Sequence, residues 1–227
     1  METLLELGKK FPMAGEYLLT MYLIQRDYRH IANSRLADRL KVTRSAVSQA
    51  MKRLEALDLV GHADGHPVLT DRGRAFAVSL LRRHYLVEHL LVNLLDYPWD
   101  KADEEASLLQ DKISADFTAF LYEKLGHPEI CPHGNPFPDI AGEGRLLGAG
   151  DLLQVAPGAR VRILRITEEG EGIPGMLSFC FRHRIRPGLL VEVVEKSPRE
   201  IRIRKVQEGN PFPVPGEYAS FLRVEHL

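Results

Sequence analysis

Apolar residues recur with helical spacing in two short stretches between residues 31 and 57, which meet at Lys41-Val42. In the second stretch an apolar side chain returns about every 3.6 residues, which predicts an amphipathic helix with one face against a core. Ser34 and Thr43 stand near the starts of the two stretches, where their hydroxyls are expected to cap a helix. The residues predicted to face the core in the second helix are Val47, Met51, Leu54 and Leu57.

A β-hairpin is predicted directly after these helices. Two short apolar segments, residues 59–61 and 67–69, are joined through Asp64-Gly65, a dipeptide typical of tight hairpin turns. Two closely joined helices followed by such a hairpin predict a winged helix-turn-helix. Further helices are expected at 16–25 and, capped by Thr70, leading into 75–95.

The middle of the chain is dense in leucine, valine and alanine and predicts two long helices, at 76–95 and at Asp100–Leu125, with Gly126 as the stop. Long apolar-rich helices after a winged domain are expected to bury their stripe against a second copy, which predicts a homodimer. Farther on, apolar and charged residues alternate as in short strands. Five such strands, the last near Phe221–Val224, predict a small SH3-like barrel with turns at Pro157-Gly158, Pro187-Gly188, Ser197-Pro198 and 209–211.

The expected fold class is therefore a mostly α N-terminal winged helix-turn-helix with a helical dimerisation domain, followed by a small all-β SH3-like barrel. We predict a DNA-binding winged domain at 1–75 and a helical dimerisation and candidate metal-binding domain at 76–140. A glycine-rich linker at 141–150 and the barrel at 151–227 complete the domain order.

Composition limits the class of protein. A chain of 227 residues that is 44% hydrophobic has enough apolar side chains for more than one compact core. Its two cysteines, Cys131 and Cys180, lie far apart, so the spacing indicates neither a disulfide framework nor a structural zinc cluster. We expect a cytoplasmic protein with no signal peptide and no membrane span, because no apolar run is long enough.

Charge is unevenly distributed, although the net charge is only -1. Residues 96–151 hold 4 lysines and arginines against 12 aspartates and glutamates, while the chain on either side is mildly basic. An acidic middle can gather carboxylates around a cation, or it can be a solvated helix face. Charge alone leaves these two interpretations open.

The outer face of the second helix has the chemistry that a DNA major groove requires. It offers short hydroxyls, basic side chains and the amide of Gln49, which can bond adenine through two hydrogen bonds. An ordinary polar surface would look similar, but the place of this helix in a helix-turn-helix favours DNA. The predicted DNA-binding residues are Arg35, Thr43, Arg44, Ser45, Ser48, Gln49, Lys52 and Arg53.

Metal-ligating side chains occur at helical spacing in the middle of the chain. His84 and Glu88 are four residues apart and could hold one ion, or they could be only a surface pair. Asp103 could be a ligand or could stabilise a helix N-terminus without a metal. The candidate set is completed by Ser107, Gln110 and Asp111 on the face of Asp103, and by Glu16 from the first helix.

Several short segments in the same order resemble the family of metal-dependent repressors that includes the diphtheria toxin repressor and the manganese transport regulator. The matching segments are Glu16-Tyr17-Leu18 with Thr20 and Tyr22, then Ser45-Ala46-Val47-Ser48-Gln49, Leu69-Thr70 with Gly73, Arg83-His84, and Gly134-Asn135-Pro136-Phe137-Pro138. This resemblance implies that Thr43, Ser45 and Gln49 face the groove. It also implies a C-terminal barrel similar to the FeoA-type domain.

The resemblance also implies two metal sites, and this chain departs from the pattern of both. Ser107, Gln110 and Asp111 stand where the main ligands are Cys or Glu, then Glu, then His. Glu16 stands where the manganese-sensing branch carries an Asp. At the ancillary site His84 and Glu88 match, Asp103 stands where a His is common, and the barrel positions fall on Ile173 and Met176, neither of which suits a hard ion.

The remaining donors are mostly oxygen with one imidazole, which favours Mn²⁺ or Fe²⁺ over Zn²⁺ or copper. Cys131 and His133 could form a transition-metal pair, but two prolines and a glycine nearby also indicate a rigid loop.

We therefore expect a metal-responsive (Mn or Fe) dimeric repressor that binds a double-stranded DNA operator. The alternative is the same DNA-binding regulator with a lost or retuned metal site, controlled by another ligand or partner. The chain carries no H-E-x-x-H, G-x-S-x-G, P-loop or dinucleotide motif, so an enzyme is not expected.

Overall fold

The computed structural model describes residues 11–28, 31–63, 65–197, 199–206 and 208–227. Asp64 and Pro198, which belong to two predicted turns, lie outside the described residues. The chain forms two compact units. The first unit contains the described residues up to His84 together with Leu109–Ser114, and the second contains Tyr85–Leu108 and Ala115–Leu227. The domain boundaries expected from the sequence stay predictions.

The first unit contains the predicted winged helix-turn-helix. Thr43 caps the third helix as expected, because its Oγ1 accepts a hydrogen bond from the Ala46 amide at 3.1 Å. Ser34 is not a cap, since the second helix begins at Asn33 after Ala32, which makes no side-chain cap. The elements are α1 (Ala14–Asp27), α2 (Asn33–Leu40), α3 (Arg44–Ala56), β1 (Val60–Ala63) and β2 (His66–Leu69), with β1 and β2 antiparallel.

Helix α4 (Asp71–His89) starts against the base of the hairpin. Thr70 Oγ1 accepts a hydrogen bond from the Gly73 amide at 3.0 Å and donates one to the Asp58 carbonyl at 2.9 Å. A Cβ atom at Gly73 would lie 1.9 Å from the Leu59 carbonyl oxygen. Glycine is therefore required at this position because the two backbones touch.

The predicted helix Asp100–Leu125 is wrong as one element. A 3₁₀ turn (Trp99–Lys101) leads into α5 (Ala102–Leu109), the chain turns over 110–114, and α6 (Ala115–Lys124) follows. Asp111 and Ser114 lie in this break, and short polar side chains favour turns and helix ends over helix interiors. The first of the two predicted long helices also changes character, since α4 ends at His89 and continues as a π-helical turn (Leu90–Leu94).

The C-terminal part of the second unit is a six-stranded antiparallel sheet in the order β3-β8-β4-β5-β6-β7, which agrees with the expected fold class. The predicted linker contains a short helix, α7 (Glu143–Leu147). The remaining elements are β3 (Gly150–Asp151), β4 (Arg160–Ile166), α8 (Glu168–Glu171), α9 (Met176–Arg182), β5 (Leu190–Lys196), β6 (Glu200–Lys205), β7 (Glu208–Pro215), α10 (Gly216–Ala219) and β8 (Leu222–His226).

Alternate strand residues such as Val161, Ile163, Val191 and Ile203 fill the barrel core. Trp99 belongs to the same core. Among the described residues no helix combines the length and the apolar character that crossing a membrane requires.

Candidate DNA interface and metal centre

Helix α3 separates its two faces as the sequence predicted, except that Leu57 follows the end of the helix and is only half-buried. Val47, Ala50, Met51 and Leu54 are buried, which fixes the helix to the first unit. The opposite face projects outward, and the exposed residues on it are Thr43, Arg44, Ser45, Ser48, Gln49, Lys52 and Arg53. This is the face that a major groove can accept.

Two of these groups are already engaged by their own helix, which leaves others for a ligand. Ser48 Oγ donates to the Arg44 carbonyl at 3.0 Å, and Thr43 is the cap. Gln49 and Lys52 make no side-chain hydrogen bond or ion pair with any residue that the structure describes. Their amide and ammonium groups face solvent.

Arg35 differs from the other predicted DNA-binding residues. It lies on α2, is half-buried, and its guanidinium stands over the Tyr28 ring with 3.5 Å between Cζ and the ring centroid. The aromatic ring therefore holds this cation close to the protein surface.

The predicted main metal ligands are divided between a helix and the turn that follows it. Ser107 is exposed on α5, whereas Gln110 and Asp111 follow the end of that helix in the turn. Asp111 is exposed and ion-paired with Lys112 at 2.6 Å, Gln110 is buried, and Glu16 on α1 is exposed. Because the helix ends at Leu109, helical spacing alone no longer fixes where Gln110 and Asp111 stand relative to Ser107.

A second group of donors is buried in the second unit. Ligand atoms of Glu88, Cys131 and His133 lie within 4.8 Å of one another, and all three residues are buried. His133 Nδ1 is 3.0 Å from Glu88 Oε1, and the His133 amide donates to Cys131 Sγ at 3.3 Å. The loop therefore brings a thiol and an imidazole beside a buried carboxylate, and both interpretations of the loop are compatible with this geometry.

The ancillary ligands expected from the resemblance meet at the same carboxylate. His84 stands one turn before Glu88 on the unbroken helix α4, so the helix itself places the two together. Ligand atoms of His84, Glu88 and Asp103 lie within 4.8 Å of one another. Glu88 therefore belongs to both groups.

Glu171 is a further buried carboxylate beside these groups, and the sequence analysis did not identify it. Its Oε2 lies 3.6 Å from His133 Nδ1 and has no N–H donor among the described residues, and its carboxyl group is hydrogen-bonded to that of Asp103. Its Oε1 accepts a hydrogen bond from Asn135 Nδ2 at 2.5 Å. We refer to His84, Glu88, Asp103, Cys131, His133 and Glu171 together as the Glu88 cluster.

The barrel positions implied by the resemblance, Ile173 and Met176, lie elsewhere. Met176 is buried in the barrel core and Ile173 packs against that core. The barrel residue that reaches the cluster is Glu171, at the end of α8 and only two positions before Ile173. The nearest sequence signal was the Thr167-Glu168-Glu169 start of this short helix, which indicates a capped helix and not a ligand.

The pKa values of three groups in the cluster are raised by their surroundings. Burial and the charges of Glu168, Glu88 and Asp103 raise the pKa of Glu171 well above its usual value. Burial and neighbouring carboxylates also raise the pKa of the Cys131 thiol. Burial lowers the pKa of His133, but the charge and hydrogen bond of Glu88 outweigh it, so the net shift of that pKa is upward.

The residues of the cluster fit a divalent transition-metal ion. They combine carboxylate oxygen, imidazole nitrogen and a sulfur, and they come from α4, α5, the Cys131 loop and α8. The buried Glu171 Oε2 has no N–H donor and stands among the carboxyl groups of Glu88 and Asp103, so a cation would compensate for the charge of these oxygens.

Two family models match most of the helical region. Residues 12–66 match the model described as the N-terminal DNA binding domain of the iron dependent repressor. Residues 70–139 match the model described as its metal binding and dimerisation domain.

Known proteins resemble the chain over nearly its whole length. The iron-dependent repressor IdeR of Mycobacterium tuberculosis is 34% identical over 93% of this chain and 96% of its own length. The diphtheria toxin repressor of Corynebacterium diphtheriae is 27% identical over 93% of this chain and 96% of its own. A solved structure described as a manganese-dependent transcriptional repressor in complex with manganese superposes with a TM-score of 0.82 and 28% identity, over 94% of this chain and all of the other.

These matches confirm the resemblance drawn from the short sequence segments. With a winged helix-turn-helix, a helical domain that matches the metal binding and dimerisation model, and a relative of 34% identity aligned over 93% of its length, this chain belongs to the iron-dependent repressor family.

Proposed function

We propose that this chain is a transcriptional repressor that binds a DNA operator as a homodimer when divalent manganese or iron is bound. The observation that carries the proposal is the Glu88 cluster, a buried set of donors in a protein whose recognition helix is exposed. The chain acts in the cytoplasm, where its DNA lies. The domain limits at 75, 140 and 150 belong to the same proposal.

The DNA contact is made by the outer face of α3. Gln49 bonds a base edge, and Thr43, Ser45 and Ser48 contact neighbouring groups in the groove. Arg35, Arg44, Lys52 and Arg53 contact phosphates and position the helix. A dimer places two such helices on a roughly palindromic operator.

The metal is held by the Glu88 cluster. His84, Glu88 and Asp103 are the predicted ligands that lie there, and Cys131, His133 and Glu171 join them. A bound cation supplies positive charge among carboxylates that otherwise repel one another. It shifts the protein toward the DNA-binding state only if it binds that state more tightly.

The remaining predicted ligands, Glu16, Ser107, Gln110 and Asp111, stay candidates for a second ion. Ser107 and Gln110 are neutral, and Asp111 is paired with Lys112. These features support the alternative that this second site has been lost or retuned while DNA binding is kept.

Exposed apolar side chains between residues 94 and 130 support a homodimer. Phe120 and Leu108 are 60% and 64% exposed, and the rings of Phe117 and Phe120 stack at 6.4 Å. Exposed apolar side chains of this size are expected to be covered by a partner. The others in this segment are Leu94, Leu95 and Ile130.

Metal-dependent operator binding tests the proposal. We expect a duplex selected from a random pool to bind the wild type more tightly with Mn²⁺ or Fe²⁺ than with chelator. Glu88→Gln should abolish that difference, while Glu195→Gln, which changes an exposed carboxylate of β5, should keep it. Equal affinity with and without metal in the wild type would overturn the metal response and favour the alternative.

A further inference from the structure

We propose that Trp99 is a positioning residue that makes Nδ1, and not Nε2, the nitrogen through which His133 binds the metal. This inference rests on the proposed metal centre and adds how its imidazole ligand is oriented. Trp99 is the only tryptophan of the chain. Its indole is thus also a direct optical reporter of that site.

The two ring nitrogens of His133 face different neighbours. Nε2 is 3.0 Å from the main-chain carbonyl oxygen of Trp99. A carbonyl oxygen only accepts hydrogen bonds, so Nε2 must carry a hydrogen. Nδ1 faces Glu88 Oε1 at 3.0 Å and Glu171 Oε2 at 3.6 Å, where a cation would be shared.

Trp99 is held firmly enough to impose this choice. It is 3% exposed within the barrel core, and its indole Nε1 donates a hydrogen bond to the Pro132 carbonyl at 2.9 Å. The Trp99 and His133 rings meet edge to face with 4.4 Å between their centroids. Trp99 therefore contacts both Pro132 and His133. Its indole fixes the loop, and its main-chain carbonyl fixes the imidazole.

Attachment through Nδ1 also agrees with the position of the sulfur. In an imidazole, Nδ1 lies nearer to the main chain than Nε2. Cys131 Sγ accepts a hydrogen bond from the main-chain amide of His133, so the sulfur also lies beside this stretch of backbone. Nδ1 and Sγ can therefore reach one ion, and a hydrogen bond to the second nitrogen is the usual way in which a ligating histidine is oriented.

Nuclear magnetic resonance of protein labelled with ¹⁵N in histidine and loaded with ¹¹³Cd²⁺ tests the assignment. We expect one-bond coupling between cadmium and Nδ1 of His133, with a proton on Nε2. His133→Asn identifies the signal by its loss. Coupling to Nε2, or cadmium bound without His133, would overturn the assignment while leaving a metal centre, whereas the absence of any bound cadmium would overturn the metal centre as well.

Trp99→Phe tests whether the indole helps to position His133. Phenylalanine keeps the ring and the main-chain carbonyl but removes the donor to Pro132, and we expect about 10- to 100-fold weaker binding of Mn²⁺ together with mixed Nδ1 and Nε2 attachment of ¹¹³Cd²⁺. Phe181→Leu, at an exposed barrel aromatic, should change neither. Unchanged affinity and pure Nδ1 attachment in Trp99→Phe would show that the indole does not position His133.

Discussion

Gln49 and Lys52 share the exposed face of α3, but they are expected to serve DNA binding in different ways. Gln49→Ala should remove discrimination between bases worth about 1–3 kcal/mol, because an amide can read adenine through two hydrogen bonds. Binding titrations on the selected operator and on single-base variants measure this change. An equal loss of affinity on every sequence would contradict direct reading by Gln49.

Lys52→Ala should weaken binding to all duplexes alike. Each phosphate contact contributes about 0.9 to the slope of log affinity against log salt, so the loss of one lysine should flatten the slope by about that amount. The measurement is a salt series on operator and non-operator DNA. Lys196→Ala, at the exposed end of β5, serves as a control whose slope we expect to match the wild type.

Cys131 is expected to influence which ion binds. Because thiolate favours later first-row ions over Mn²⁺, Cys131→Ala should lower Fe²⁺ and Co²⁺ affinity more than Mn²⁺ affinity. Cys180→Ala is the matched control, since Cys180 is buried in the barrel core, where burial raises its pKa to about 12. Near-ultraviolet absorption from a Co²⁺–thiolate bond should disappear in the first variant and remain in the second; its presence in both would exclude Cys131 as a ligand.

At the scale of single residues, the sequence predicted those features that depend on residues close together along the chain. The 3.6-residue period identified the exposed face of α3, and the spacing of four identified His84 and Glu88. Glu171 escaped because it is 83 positions beyond Glu88, and no periodicity connects residues so far apart. His133 stayed ambiguous for the same reason, since only the fold shows that its ring meets two buried carboxylates.

At the scale of elements, the start of α4 is a point of close contact. Gly73→Ala should destabilise the first unit by about 1–3 kcal/mol, because the added methyl group would overlap the Leu59 carbonyl. Gly144→Ala, inside α7 with open space around it, should be neutral or slightly stabilising. Chemical denaturation of both variants measures the difference, and equal stability would contradict the contact.

Helices α5 and α6 are expected to carry the dimer contact. Phe120→Glu should convert the dimer to a monomer, because a charge would replace a 60% exposed aromatic that stacks on the Phe117 ring. Phe181→Glu changes a 40% exposed aromatic of the barrel and should leave the dimer intact. Sedimentation analysis distinguishes the two states, and a Phe120→Glu protein that stays dimeric would place the contact elsewhere.

Elements were predictable where the apolar period is unbroken. The winged domain and the barrel strands follow from local patterns and turn residues. The helix expected at 100–125 is interrupted at 110–114, where Asp111 and Ser114 favour a turn, although the apolar residues on both sides keep a helical pattern.

For the whole molecule, acidity should have opposite effects on the metal-free and metal-bound states. The pKa values of Glu171, His133 and Cys131 are all raised, so the folded metal-free protein binds their protons more tightly than the unfolded chain. The stability from these groups is present at low pH and is lost as pH rises through the folded pKa values. A metal displaces these protons, so metal binding should tighten with rising pH.

Thermal unfolding across mildly acidic to mildly alkaline pH, with chelator or with Mn²⁺, checks this expectation. The increase in Tm caused by Mn²⁺ should grow with pH. Glu88→Gln should reduce the increase at every pH. A metal effect that shrinks as pH rises would contradict ligation by protonated groups of the cluster.

The donors of the Glu88 cluster are widely separated along the chain: His133 is 45 residues beyond Glu88, and Glu171 lies farther still. An ion bound to all three would act as a removable crosslink, because it closes long loops that are free in the unfolded chain. Scarcity of metal would then be felt as increased susceptibility of the second unit to proteolysis. The ion that is required for DNA binding would in this way also determine the lifetime of the regulator in the cell.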